Sequence, residues 1–314
     1  MKDNKKHKKA EYGILITGLI ILLAVACIIA LCAGQYSVSV PEVIKILASR
    51  FVNVTKTWSN TAEGVVFTLR LPRIIGAVLV GSALSLSGAA YQGVFKNPLV
   101  APDLLGVSSG ACVGASVAIL LHLNSFGVQA MAFVAGILAV GLTLFIPRLI
   151  KNTNMTMLVL SGIIVKGIMD SVMGIIKYVA DPETELQSIT YWQLGSLTKV
   201  LPKDLFTVGP VIVAASVIIF LLRWRINILS LGDREAKTLG VSVTIVRNFI
   251  IICATLLTAS AVCISGTIGW IGLVIPHFAR MLTGPDNTKA IPASILMGAI
   301  FMVVIDTLAR ALTS

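Results

Sequence analysis

Runs of mostly apolar residues, each close to the length of a bilayer-crossing helix, recur along almost the whole chain. A helix needs about 20 such residues to cross the hydrocarbon, where only helices and closed barrels satisfy their own backbone. The runs cover 12–33, 74–95, 106–123, 129–150, 157–179, 205–222, 247–265, 268–282 and 291–312, the eighth being short for a full crossing. Charged residues make up 12% of the chain and hydrophobic ones 56%. A soluble domain carries about 25% charged residues, so there is too little polar sequence here to cover a water-facing surface. That excludes a soluble enzyme, a disordered chain and a disulfide-rich secreted module. The expected fold is all-α, a polytopic helical bundle in which residues 1–314 form one transmembrane domain.

The formal net charge of +11 lies between the apolar runs, so it reports topology and not nucleic-acid binding. Residues 1–11 form a basic tail containing Lys2, Lys5, Lys6, Lys8 and Lys9. The run that follows is long for a signal peptide, and Leu31-Cys32-Ala33-Gly34 is a poor cleavage site. A retained first helix with a cytoplasmic amino end is expected. Residues 34–73 then read as an extracytoplasmic loop. Ser39-Val40-Pro41-Glu42 supplies a cap, a proline and an acidic first turn, which predicts a short surface helix. Alternating the spans puts 15 basic residues inside and 9 outside, with Lys166 in mid-span. The inside excess obeys the positive-inside rule. Arg70, Arg73 and Arg310 fall outside at helix ends, where positive charge is disfavoured.

Two stretches overlay at an offset of 178 residues, placing Ser87-Gly88 on Ser265-Gly266, Pro98 on Pro276 and Gly106 on Gly284. Matching helix-breakers in oppositely directed halves mark the inverted repeats of transporters. Asn97-Pro98-Leu99-Val100-Ala101-Pro102 and Gly106-Val107-Ser108-Ser109-Gly110-Ala111 interrupt apolar sequence. Irregular backbone at membrane depth must be satisfied by protein or water, so this region lines a pathway or packs helices tightly. Lys166 and Asp170 form a candidate intramembrane ion pair on one helix face. It reads either as a proton or substrate site or as a self-neutralised pair facing a partner helix or wet cavity. Cys27, Cys32, Cys112, Cys253 and Cys263 lie in apolar sequence and read as small buried hydrophobes. His7, His122 and His277 have no metal-ligand spacing. No G-x-x-x-x-G-K-[ST] nucleotide loop occurs, so neither ATP nor any other cofactor is expected on this chain, and no enzyme activity.

Several blocks carry a family likeness. They are Arg70-Leu71-Pro72-Arg73, then Gly81, Gly88, Gln92 and Asn97-Pro98-Leu99, then Pro102 through Ala111. Tyr191 through Ser196, Leu231 through Val241, Gly266 through Arg280 and Asp306-Thr307-Leu308-Ala309-Arg310 complete the set. In this order they resemble the permease subunits of ABC importers for ferric siderophores, haem and vitamin B12. The resemblance implies ten spans in inverted halves, of which nine are evident here; with the sequence ending at Ser314, the tenth is missing or the sequence is cut short. It implies a second permease, identical or homologous, and two ATPases that carry the ATP and magnesium. It also implies an extracytoplasmic binding protein and an iron-chelate cargo.

Residue roles follow from the same resemblance. Arg70, Arg73 and Arg310 would face outward and pair with glutamates of the binding protein, a pairing that suits bidentate guanidinium. Asp306, one turn before Arg310, would orient it or form a local pair. Residues 223–246 would be the cytoplasmic coupling segment. Within it Gly232, Asp233, Arg234, Glu235, Ala236, Leu239 and Gly240 would form a short helix between two glycines, with Ala236 and Leu239 as its packing face against an ATPase. Asn97, Leu99, Met155 and Thr156 would narrow the pathway at its cytoplasmic end or simply cap helices. Lys166 and Asp170 match no motif of the family. The expected function is import of a ferric siderophore across the bacterial cytoplasmic membrane, with haem or vitamin B12 as alternatives. A proton-driven secondary transporter using Lys166 and Asp170, or a receptor that only signals, are the readings of other classes.

Overall fold

The computed structural model describes residues 2–152 and 154–312, with side chains described from Ala10 onward. The side chains of Lys2, Lys5, Lys6, Lys8 and Lys9, and the chain end at Ser314, lie outside the described residues. Each apolar run becomes a helix. The order is α1 Lys2–Cys32, α2 Val40–Ala48, α3 Asn60–Gly64, α4 Leu71–Phe95, α5 Val107–Leu120, α6 Ser125–Leu149, α7 Met155–Val179, α8 Glu185–Leu194, α9 Pro202–Leu231, α10 Asp233–Thr238, α11 Val243–Ser265, α12 Ile271–Thr283 and α13 Asn287–Leu312. No strand occurs among the described residues.

Among the described residues, seven helical stretches are long and apolar enough to cross a membrane, whereas α5 and α12 are shorter. α1 exposes Ile14, Ile20, Ile21, Val25, Ile28 and Ile29. Leaving one such side chain in water forfeits about 1.5–3 kcal/mol. In lipid that penalty vanishes, and the chain is an integral membrane protein.

The core is built on two helices, α4 and α11, which are buried along most of their lengths. They run antiparallel, joined by Ser87–Thr258 and Tyr91–Thr255 hydroxyl contacts of 2.6 and 2.9 Å. α4 also packs on α12 and α13, and α11 on α5 and α6. Exchanging α4 with α11, α5 with α12 and α6 with α13 maps this set of contacts onto itself. The lengths agree: 25, 14 and 25 residues in one half, 23, 13 and 26 in the other. The inverted repeat is therefore present, but not at the expected registration. An offset of 178 pairs Gly106, which opens α5, with Gly284, which closes α12. The structure pairs Gly106 with Trp270: both precede a short helix, and both hold a left-handed φ, 81° and 69°. Matching glycines and prolines misled the alignment because the second half uses a tryptophan where the first uses glycine.

Two other differences from the expected layout bear on the site. The segment 34–73 is not a loop throughout. The short surface helix is α2, but α3 and a π-helical turn, Val65–Arg70, run without a break into α4. The π turn sits just before Pro72, whose missing N–H and ring cannot fit a regular ladder. α9 also extends past residue 222 to Leu231, so Arg223 and Arg225 lie on a spanning helix.

Candidate functional site

The residues singled out in the sequence gather at the two ends of α4, which at 1.5 Å per residue lie about 37 Å apart. At its amino end, Arg73 and Asp306 meet side on. Arg73 Nε donates to both carboxylate oxygens at 3.0 and 2.8 Å, and Nη2 to Oδ1 at 2.8 Å. Asp306 therefore serves α4 and not Arg310, contrary to the local pairing expected from their spacing. Arg310 instead donates through Nη2 to the Ala30 carbonyl at 2.6 Å, and its buried Nε has no partner among the described residues. Arg70 does not face outward. It is 4% exposed, and its guanidinium donates to the carbonyls of Leu31 at 2.6 Å, Cys32 at 3.2 Å and Tyr36. The last carbonyls of a helix lack intrahelical donors and carry the negative end of its dipole. Arg70 and Arg310 together satisfy them at the end of α1. Gly34 makes room, since a Cβ there would lie 2.9 Å from the Arg70 guanidinium.

An open cleft of about 520 Å³ lies beside these arginines, bounded by Arg73, Asp306, Arg310, Ser196, Thr198 and Phe301. Its floor joins two of the sequence blocks. The Ser196 N–H donates to the Ser265 carbonyl at 2.7 Å, and the Thr267 hydroxyl to the Gln193 carbonyl. α8, which hydropathy did not reveal because it is short and polar, delivers the first of those blocks.

At the carboxyl end of α4 stands α10, between Gly232 (φ 146°) and Gly240 (φ 75°). The expected short helix is there, but its packing face differs. Ala236 is fully buried under its own chain, while Leu239 is 59% exposed. Arg234, Glu235 and Lys237 are exposed as well. Asp233 accepts from Arg247 Nη2 at 2.7 Å and Lys96 Nζ at 3.1 Å. The Arg247 hydrogen bond, with Lys96 adding to it against partial burial, holds the Asp233 carboxyl below its ordinary range. Lys96 and Arg247 are lone basic residues beside separate apolar runs. Their shared carboxylate could not be read from positions so far apart in the chain.

Asn97 makes a turn in which its Oδ1 accepts from the Leu99 N–H at 2.9 Å, leaving Leu99 78% exposed. Met155 and Thr156 are not in a loop: they open α7, capped by Asn154, whose Oδ1 accepts from the Met157 N–H at 3.0 Å. Lys166 and Asp170 do not pair with one another among the described contacts. The carboxylate near Lys166 is Asp103, at 3.8 Å, from the 3-10 turn Pro102–Leu105. The relay that a proton-driven mechanism would use is not assembled. Gln92 binds α12 to α4: its amide donates to the carbonyls of Val100 and Leu273 at 3.3 and 3.2 Å and accepts from Arg280. Gly106-Val107-Ser108-Ser109-Gly110 has the letters of a hydrolase nucleophile turn, yet it opens α5 with no strand before it.

The comparisons with known proteins agree with this geometry. The FecCD transport family profile matches residues 22–314. The molybdate import system permease protein MolB of Haemophilus influenzae is 36% identical over 96% of this chain and 89% of its own. A probable iron chelatin transport system permease protein of Helicobacter pylori is 41% identical over 79% of this chain and 75% of its own. A solved structure described as an inward-facing conformation of a metal-chelate type ABC transporter superposes with a TM-score of 0.85 at 34% identity, covering 96% of this chain and 91% of that one. With its inverted halves, its short paired helices and its match over almost all of the sequence, the chain belongs to the FecCD transport family, the membrane-spanning permeases of ABC importers.

Proposed function

We propose that this permease carries an iron chelate, most simply a ferric siderophore, inward across the cytoplasmic membrane, with its amino end in the cytoplasm. The observation that carries the reading is the division of labour between the two ends of α4. One end holds a polar helix out between glycine joints, and the other holds arginines beside an open cleft. A chain with no nucleotide loop needs its energy from partners. Two ATPases, holding ATP and magnesium, would seat on α10 through Leu239 and the charged residues around it. A second permease would complete the conduit, and an extracytoplasmic binding protein would deliver the cargo. The docking role narrows to Arg310. Arg70 is consumed by the end of α1 and Arg73 by Asp306, whereas Arg310 engages only Nη2, on the Ala30 carbonyl, among the described contacts. The iron chelatin relative at 41% identity supports the cargo class.

The test is uptake into proteoliposomes containing the permease, its ATPase and its binding protein. Iron-55 presented on hydroxamate or catecholate chelators should accumulate only with internal ATP. Arg310→Glu should abolish uptake while the protein still elutes as one folded species. Accumulation of molybdate in place of iron would refute the cargo assignment, and uptake driven by a proton gradient without ATPase would refute the whole reading.

A further inference from the structure

α10 is joined to the bundle through Gly232 and Gly240, both at positive φ. Glycine joints ease rotation of a six-residue helix relative to the helices it connects, but α10 is seated on α9 through the buried Ala236. Asp233 adds a side-chain tie to that seat. One of its oxygens, Oδ1, accepts from Lys96 and from Arg247. Lys96 is the residue that ends α4, in a left-handed turn at φ 53°. Arg247 lies early in α11. These are the equivalent central helices of the two inverted halves, already held to each other by Ser87–Thr258 and Tyr91–Thr255. The Arg247 side chain is only 15% exposed, and its 2.7 Å contact with Asp233 holds it there. Exposed ion pairs add little to stability, and Asp233 is about half exposed. Its effect is therefore mechanical: it ties a small hinged helix to both halves at once.

We infer that Asp233 is a positioning residue that makes α4 and α11 follow α10 when a partner ATPase moves it. The inference rests on α10 being the ATPase seat, and the experiment separates the two. In a background lacking the five native cysteines, Leu239→Cys reports the seat and Leu99→Cys, beside the end of α4, reports the bundle. Maleimide labelling rates are compared in the complex with its ATPase, nucleotide-free and trapped with ATP and vanadate. With Asp233 present, both cysteines should change rate several-fold. With Asp233→Ala, the change at Leu239→Cys should persist and that at Leu99→Cys should disappear. Asp233→Lys should behave likewise, and adding Lys96→Glu with Arg247→Glu should restore the response, which a purely structural role would not do. An unprotected Leu239→Cys in the intact complex would refute the ATPase seat. A protected Leu239→Cys together with an undiminished Leu99→Cys response in Asp233→Ala would overturn the tether, as would a Leu99→Cys that never responds.

Discussion

Arg70 and Arg73 stand one turn apart on the same helical rod and meet different chemistry. Arg70 reaches three backbone carbonyls at the end of α1, and Arg73 reaches a carboxylate on α13. The sequence marked both as arginines needing an explanation, but the targets were illegible for different reasons. Carbonyl oxygens carry no letter in a sequence, and Asp306 is 233 residues away. The Arg73–Asp306 pair also shows how burial sets the worth of a charge. Its side chains are 16% and 8% exposed, against 48% and 32% for Lys56–Glu63. Removing one partner of a buried pair strands the other and costs about 3–5 kcal/mol, whereas an exposed pair is worth about 0–1 kcal/mol. Arg73→Ala should therefore lower the melting temperature in detergent well below that of Lys56→Ala, which should melt close to the parent. Equal melting temperatures for the two variants would show that Asp306 is hydrated in the absence of Arg73.

At the scale of elements, the apolar runs placed every long helix, because hydropathy over about 20 residues is a strong signal. It was silent where a helix is polar, as in α8, and where β-branched residues and a proline disguise one, as from Val65 to Pro72. It also could not show how closely helices approach. Without a hydrophobic drive between helices in lipid, small residues that let backbones touch decide packing. A Cβ on Gly88 would run into the Gly272 carbonyl of α12, and one on Gly81 into the Gly298 carbonyl of α13. A Cβ on Gly13 or Gly18 of α1 would meet nothing within 4 Å among the described residues. Substituting alanine at Gly81 or Gly88 should force α4 off its neighbours and reduce the yield of monodisperse protein. Gly18→Ala should leave that yield unchanged or raise it, since alanine favours a helix over glycine by about 0.8–1.0 kcal/mol. Size-exclusion profiles of the three variants, expressed in parallel, decide the point; a normal profile for Gly88→Ala would mean that α4 and α12 are less closely apposed than their backbones indicate.

For the whole molecule, the charge count and the packing make independent statements about sidedness. The sequence places Lys96, Arg234, Lys237 and Arg247 on one side of the membrane, and Lys45, Arg50, Lys56, Arg70, Arg73 and Arg310 on the other. The structure brings Lys96 and Arg247 together on Asp233 at the carboxyl end of α4. It ties the segment after α1 to its amino end through Arg70 and Tyr36. Folding thus collects each charge group at one end of a helix about 37 Å long, enough to cross the hydrocarbon of about 30 Å. Inverted halves would let either end face either way, since the repeat itself has no preferred side. By the positive-inside rule, the basic excess predicts which end faces the cytoplasm. Thr57→Cys and Lys237→Cys, each in the cysteine-free background, should therefore label with a membrane-impermeant maleimide from opposite sides. Intact cells stripped of any outer barrier should label the first alone, and inverted vesicles the second alone. Labelling of both from the same side would break the helix count between them, and with it the alternation on which the inverted halves depend.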